Sequence, residues 1–522
     1  VNRMLIAALA PSVLAAGATA QCSPGWVSFP ALTGTAGHAL LPLPDGNLIV
    51  AGSFSAANGT PASLIAHVDT TTLVCSPLGS GTSSSSILQC LARLPNGDIL
   101  TGGNHSSLGG VTTNKIGRFS QATQTWSDIG YGTQGGVVYA IQVMPGGNEI
   151  IVGGDFSRAQ TIAVNHVARC NLLTNTWSSV GSNMTTSGDS VKVLALAPDG
   201  TVIVGGSFFG VAGTGSARIA RLNPGNNTWS ALGTGCNNNV EAIVVMDDGD
   251  IIAAGYFTLA GGVACNRMAR FDVQTGTWSA IGGTSTTGMN YINDLTRLPS
   301  GELIVGGSFT FIGGVGGVTA NRIARYNPDT GVFSALISGV NSDVRAVAPL
   351  LDGRLAVTGN FTGRLAAYSF GGTPPTISSP PSDLNRCGDG PAVFTVSAAG
   401  TGPLSFQWRF NTVPIDTTAN PSAATDTLSL PAASPADNGA YTVTVTNSCG
   451  PATSPAAALT VNTADFNGDG DIGTDADIEA FFACLGGNCC PTCGSADLNA
   501  DGDTGTDADI ESFFRVLGGG SC

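Results

Sequence analysis

The sequence predicts a mainly β protein with a small helical pair near its C-terminal end, and three observations lead there. Charged residues are only 11% of the 522 residues while Gly occurs 73 times. That balance suits short strands joined by tight turns and leaves few long amphipathic helices. One pattern recurs seven times between Gly37 and Tyr368, its turn glycines 49 to 53 residues apart. Residues 465–522 then hold twelve acids and one base and repeat an acidic loop followed by an apolar-faced segment. A chain of this length needs several cores, hence several domains.

The chain opens on Val-Asn-Arg-Met, continues with the apolar run Leu5 to Ala20, and carries Ala18-Thr19-Ala20 at its end. A basic start, an apolar run and a small-residue cut site make residues 1–20 read as a secretory signal peptide. Pro11 and Gly17 weaken a transmembrane reading of a run barely long enough to span a bilayer. The expected protein is therefore secreted, extracellular or at the cell surface, with no stable membrane span after cleavage. Thirteen Cys suit an oxidising compartment, and the odd count leaves one thiol free or paired between chains. Cys22 raises a lipoprotein reading, against which Gln21 argues.

Residues 21–372 hold the repeats. Val191, Val193 and Leu196 alternate as an inner strand, Asp199-Gly200 turns it, Val202 to Gly206 gives a second strand, Ile219 to Asn223 a third, and Trp229 opens a fourth. Four short strands in a period near fifty residues are one blade of a β-propeller. The turn glycines Gly46, Gly97, Gly147, Gly200, Gly249, Gly301 and Gly353 count seven blades, but the fourth-strand column Cys75, Trp126, Trp177, Trp229, Trp278 and Phe333 is one short. Gly25-Trp26-Val27-Ser28 copies the missing member, so the N-terminal strand is expected to close the last blade and remove its open edge. The Gly-Gly pairs allow close backbone approach, and the Trp column should fill the space between blades.

The repeat resembles kelch sequences, as in Phe271-Asp-Val-Gln-Thr-Gly-Thr-Trp278, and the bacterial delta-60 repeat, as in Gly306-Gly-Ser-Phe309 with Asn321-Arg-Ile-Ala-Arg325. Because some kelch propellers are copper oxidases, the resemblance asks for a test of the His residues. His67 and His166 stand in Arg columns and His105 stands where other repeats have Phe, so no two fall where a shared metal needs them. Two columns, Arg118, Arg169, Arg221, Arg270 and Arg325, then Lys115, Arg218, Arg267 and Arg322 with Arg364, hold half of all basic residues. Either they ring a site for acidic ligands or each ties a neighbouring blade's turn, such as Asp199 or Asp352. Recurrence in every blade favours the structural reading. A net charge of −15 opposes nucleic-acid binding. A Cys236–Cys265 disulfide is plausible between adjacent loops, and Asn237-Asn-Asn239, Tyr256 and Asn290-Tyr291 are candidate contacts for a glycan or protein ligand. Among the acids Asp155, Glu241, Asp247, Asp248, Asp294 and Glu302 no catalytic pair is evident; Glu241 and Asp294 come nearest the channel mouth.

Residues 373–462 follow a linker of Gly371-Gly-Thr-Pro-Pro375 and Pro380-Pro381. Gly400 to Trp408 and Asp437-Asn-Gly-Ala-Tyr441 resemble the strand signatures of immunoglobulin-like domains, which implies a β-sandwich with Trp408 as its core Trp and Tyr441 as its tyrosine corner. Val396 and Val443 stand where that family has its inter-sheet Cys pair, and Cys387 with Cys449 is the alternative pairing.

Residues 463–522 carry −11 of the net charge. Asp465-Phe-Asn467-Gly-Asp469-Gly470 recurs as Asp497-Leu-Asn499-Ala-Asp501-Gly502, the start of an EF-hand calcium loop in which alternate residues give oxygen ligands. Asp471 and Asp503 should add backbone carbonyls, and Asp475 or Asp477, with Asp507 or Asp509, compete as the last ligand. Ile478, Phe481, Phe482 and Leu485, then Ile510, Phe513, Phe514 and Leu517, follow helical spacing. Zinc is the rival for Cys489, Cys490 and Cys493, but no His lies near, and disulfides suit the tail better. The duplicated loop-helix units resemble the dockerin domain of the Gly- and Cys-containing kind, which implies calcium and a cohesin-like or cell-surface protein partner. The whole reads as a surface- or scaffold-attached binding protein; the alternative is an extracellular carbohydrate-active enzyme or lectin in polysaccharide breakdown.

Overall fold

Alternating apolar residues make the inner strand of each repeat, and a Gly in the left-handed region turns it, as at Gly200 with φ 81°. The computed structural model describes residues 22–517, apart from 28, 80–85, 182–189, 212–214, 284–290, 315–316, 388–389, 463–465, 468–472, 489–495 and 497–502. The expected signal segment 1–20 lies outside the described residues. Within them, Val191–Leu196, Val202–Gly206, Ile219–Asn223 and Thr228–Ala231 form one antiparallel sheet in chain order. Among the described residues the same path recurs in seven sheets. In the last of them the edge strand is Gly25–Val27, which pairs antiparallel with Leu365–Ser369 and supplies what the final repeat lacks.

The cores lie between consecutive sheets. One cluster joins Ile252, Ala254 and Met268 of one sheet to Ile292, Leu303 and Phe309 of the next. The Trp column is pinned across the same gaps: the indole N–H groups of Trp126, Trp177 and Trp278 donate to the carbonyls of Leu78, Ile129 and Leu232 at 3.3, 3.1 and 2.9 Å. A second apolar column, Phe54, Phe156, Phe208, Phe257, Phe309 and Phe361, is buried throughout. His105 takes its place in the second sheet, fully buried, with neither ring nitrogen hydrogen-bonded.

Most of both Arg columns is spent within single sheets. Arg118 meets Asp98 at 2.6 Å, and Arg270 meets Asp250 at 2.6 Å and Asp248 at 2.8 Å. These carboxylates belong to the same sheet's first turn, a correction to the expected neighbouring turn. The register explains it: Arg118 stands opposite Leu100, so its side chain needs only a diagonal step to Asp98. Arg169 does cross to the next sheet, donating to the Pro224 carbonyl. Arg218, Arg267 and Arg322 all have φ of 67° to 70° and donate to the carbonyls of Ser207, Tyr256 and Ser308, tying down the loop between second and third strands.

In residues 373–462 Trp408 is fully buried and donates to the Thr425 carbonyl at 2.9 Å, while the Tyr441 hydroxyl donates to the Asp437 carbonyl at 2.9 Å. Val396 and Val443 pack in the same core. The disulfide is not where the sequence suggested: Cys449 bonds Cys22, across 427 residues, and not Cys387. Folding explains the choice. The closing strand brings Cys22 to Gly372, with which it exchanges two backbone hydrogen bonds, and Ser369 Oγ donates to the Ser448 carbonyl beside it. That bond also removes the lipidation reading of Cys22. Cys236 and Cys265 share one buried cluster but remain thiols.

The tail contributes helices Asp475–Leu485 and Asp507–Leu517. Phe481 and Phe513 stack at 4.0 Å with an 8° interplanar angle, and Phe466 meets both edge-on. Only the first Phe of each pair is buried; Phe482 and Phe514 stay 45% and 48% exposed. Cys484 is disulfide-bonded.

Candidate functional site

Each inner strand skips one residue in its pairing with the second strand. The breaks fall between Gly37 and Ala39, Leu88 and Cys90, Val138 and Ala140, and Val191 and Val193. They continue between Val240 and Ala242, Ile292 and Asp294, and Val344 and Ala346. A bulged residue leaves the alternation and re-aims its side chain. The residues so released from the first four sheets are His38, Gln89, Tyr139 and Lys192. Glu241, Asn293 and Arg345 follow from the last three, and all seven line one cavity of about 510 Å³.

The Gly-Gly pairs are what make this ring. A Cβ on Gly103 would lie 2.1 Å from the Ile87 carbonyl, and one on Gly206 2.0 Å from that of Ser190, so the second Gly lets the backbone entering the bulge cross the neighbouring strand; Gly255, after Ala254, does the same alone. The first Gly does a different job. A Cβ on Gly102 would strike Val138 of the next sheet at 2.4 Å, and one on Gly153 would strike Val191 at 2.3 Å. One dipeptide thus sets both the spacing of the sheets and the direction of the bulged side chain.

Charges in the cavity are balanced. Lys192 Nζ sits 3.4 Å over the Tyr139 ring. Burial lowers the pKa of Lys192, and Glu241 and Asp155 partly restore it; burial likewise raises Glu241, against Lys192 and a hydrogen bond from Asn239. The Tyr139 hydroxyl donates to Asp155 at 3.4 Å, and burial with that neighbour pushes its pKa up to about 12. Burial, then Arg345, brings His38 down to about 4, so its ring is neutral at pH 7. Tyr256 and Tyr291 meet at 4.1 Å and 40° on the wall shared by the fifth and sixth sheets.

Of the residues singled out by sequence, Glu241, Tyr256 and Tyr291 come together here. Asp294 does not line the cavity: its carboxylate accepts from the backbone N–H of Leu295 and Val347, and burial pushes its pKa up to about 7. Asn237 ties its loop to the one after the second strand by accepting from the backbone N–H of Thr258 and Leu259, and Asn239 donates to Glu241 at 3.3 Å. Asn290 lies outside the described residues. Sequence reading missed His38, Gln89, Tyr139, Lys192, Asn293 and Arg345. A signal existed: a polar residue at the second place of an otherwise apolar strand, in every repeat.

In the tail, Asp465, Asp469, Asp471, Asp497, Asn499 and Asp501 lie outside the described residues. Asp477 is fully buried, and its carboxylate accepts from Phe466 N at 2.7 Å, Asn467 N at 3.2 Å, and Thr474 N and Oγ1 at 2.9 Å. Burial works against its charge, yet these donors outweigh it and hold the pKa below the ordinary carboxylate value. Asp509 accepts from Thr506 N and Oγ1 in the same way. Asp475 and Asp507 stand exposed at the starts of the helices, and Asp503 is also exposed. The recurring loop residues offer only oxygen donors, the chemistry of a hard divalent cation.

Family models agree with the two larger parts. One described as the Rax2 C-terminal beta propeller domain matches residues 132–248 and 230–360, and one described as a beta-propeller domain of unknown function matches 43–69. An immunoglobulin domain model matches 374–447. No curated protein matches the chain. Among solved structures, a chimeric titin Z1Z2 carrying a decorin peptide shares 26% identity over 17% of this chain and 96% of its own, with a TM-score of 0.16. Drosophila OTK extracellular domains 3–5 share 18% over 21% of this chain and 39% of that one, again at 0.16. The chain is thus mainly β with β-propeller and immunoglobulin modules, a pairing that suggests a binding or scaffold protein.

Proposed function

We propose that this is a secreted, surface- or scaffold-attached binding protein whose seven sheets are the blades of one closed propeller and whose recognition site is the cavity at its axis. One observation carries the reading: the same bulge in each of seven sheets aims a different polar side chain into one space. Side chains that held the blades together would recur; these do not. The Cys22–Cys449 disulfide supports an oxidising, extracellular compartment.

The tail is the proposed attachment module. Two calcium ions would be held by Asp465, Asn467 and Asp469 and by Asp497, Asn499 and Asp501, with backbone carbonyls of Asp471 and Asp503. Because Asp477 and Asp509 are engaged in capping their helices, Asp475 and Asp507 are the better last ligands. Bound calcium would neutralise the clustered carboxylates and so favour the folded tail. Its partner would be a cohesin-like or cell-surface protein. Calorimetric titration of the intact chain with calcium should give a heat of binding that Asp465→Ala combined with Asp497→Ala abolishes; an unchanged heat in that variant would remove calcium from these loops.

The second reading, a carbohydrate-active enzyme or lectin, draws on Glu241 beside Tyr256 and Tyr291 in the cavity. Release of soluble product from a polysaccharide, lost on Glu241→Gln, would replace binding by catalysis.

A further inference from the structure

We propose that the propeller cavity receives an uncharged saccharide residue, seated against the Tyr256–Tyr291 pair with its hydroxyls between Glu241 and Arg345. This rests on reading the cavity as the recognition site, and it names the class of ligand recognised there. The aromatic wall is the first ground. The two rings lie 4.1 Å apart, Tyr291 is 44% exposed, and both border a polar cavity. An exposed ring backed by a half-buried one, beside convergent polar groups, suits a ligand with one apolar face and a polar rim, which is the shape of a pyranose.

Charge is the second ground. Lys192 faces Glu241 and Asp155, while Arg345 and Asp343 share the other side, and Tyr256 feels Glu241 and Arg345 with opposite sign. The lining thus carries two cations, Lys192 and Arg345, and two anions, Glu241 and Asp343, and Arg345 also meets Asn360 at 3.2 Å. A lining without net charge offers an ionic ligand little net attraction for the hydration it loses, whereas a polyol can donate to the Glu241 carboxylate and accept from the Arg345 guanidinium. The space of about 510 Å³ is of the size that small-molecule sites use.

The test is calorimetric titration of the intact chain with neutral hexaoses of glucose, mannose and xylose units. An oligogalacturonate and a zwitterionic dipeptide are the charged comparisons. At least one neutral hexaose should bind, with affinity little changed by salt, and Tyr291→Ala should weaken it about tenfold. Arg345→Leu should weaken the same probe, and unchanged melting of both variants would show that folding is intact. Binding confined to a charged probe, and lost on Tyr291→Ala, overturns the uncharged saccharide as the ligand while leaving the cavity as the site. A neutral probe that binds wild type and both variants equally lies elsewhere and overturns both readings. No binding of any neutral probe overturns the proposal.

Discussion

Two kinds of column run side by side through the propeller. In one, the same kind of residue returns from sheet to sheet: a Gly where the second strand crosses the bulge, an aromatic that fills the gap, an Arg that meets its own turn. In the other, the bulge position, Glu241 and Arg345 stand where other sheets have His38, Gln89, Tyr139, Lys192 and Asn293. The first kind answers a demand that every sheet makes, such as the 2.1 Å approach that excludes a Cβ at Gly103. The second answers a demand made once, by the one cavity that all seven side chains line. Within a repeat protein, sameness marks packing, and variety at an equivalent place marks recognition.

Substitutions that separate stability from binding can break that comparison. Trp278→Ala removes a buried indole and its hydrogen bond to Leu232, and should cost about 3 kcal/mol or more in thermal or denaturant unfolding. His105→Phe restores the apolar column and relieves a buried imidazole without partners, which should gain about 1 kcal/mol at neutral pH. It should also flatten the acid limb. Burial, then Lys115, lowers the His105 pKa from 6.5 to about 4 in the folded chain, so the unfolded chain takes the proton first and stability falls as pH drops through that interval. His38 is shifted in the same direction and should leave part of the slope in place. Melting curves from neutral to acidic pH that overlay for wild type and His105→Phe would contradict this. Glu241→Gln, at the bulge, should change stability by no more than about 0.5 kcal/mol while weakening ligand binding. A large loss of stability there would make Glu241 a packing residue.

Much of this was legible beforehand because repetition turns weak local signals into columns. The strand limits around Val191 to Trp229, the closing role of Trp26 and the buried Trp408 and Tyr441 all follow from period, turn residues and alternation. The bulges were marked only by a polar residue at the second place of each inner strand, a faint signal because a one-residue skip leaves alternation intact on both sides. Close backbone approach at the Gly-Gly pairs was legible, but which strand or sheet each Gly meets was not. Pairing of Cys449 also escaped, since Cys22 becomes its neighbour only after the first strand has closed the ring. In the tail, helical spacing located both helices, but spacing could not tell Phe481, stacked inside, from Phe482, left outside.

The link between Cys22 and Cys449 bears on how a tethered molecule would carry load. Gly25 lies opposite Ser369, so Cys22 and the chain leaving Ser369 emerge at the same end of one strand pair. A pull arriving from the immunoglobulin module reaches the propeller along both strands together, through the main chain on one side and through the disulfide on the other. The two strands are drawn in the same direction and not slid past each other, and the hydrogen bonds between them carry no shear. If the tail is held by a surface and the axis holds a ligand, the seam that closes the ring is the one that tension spares.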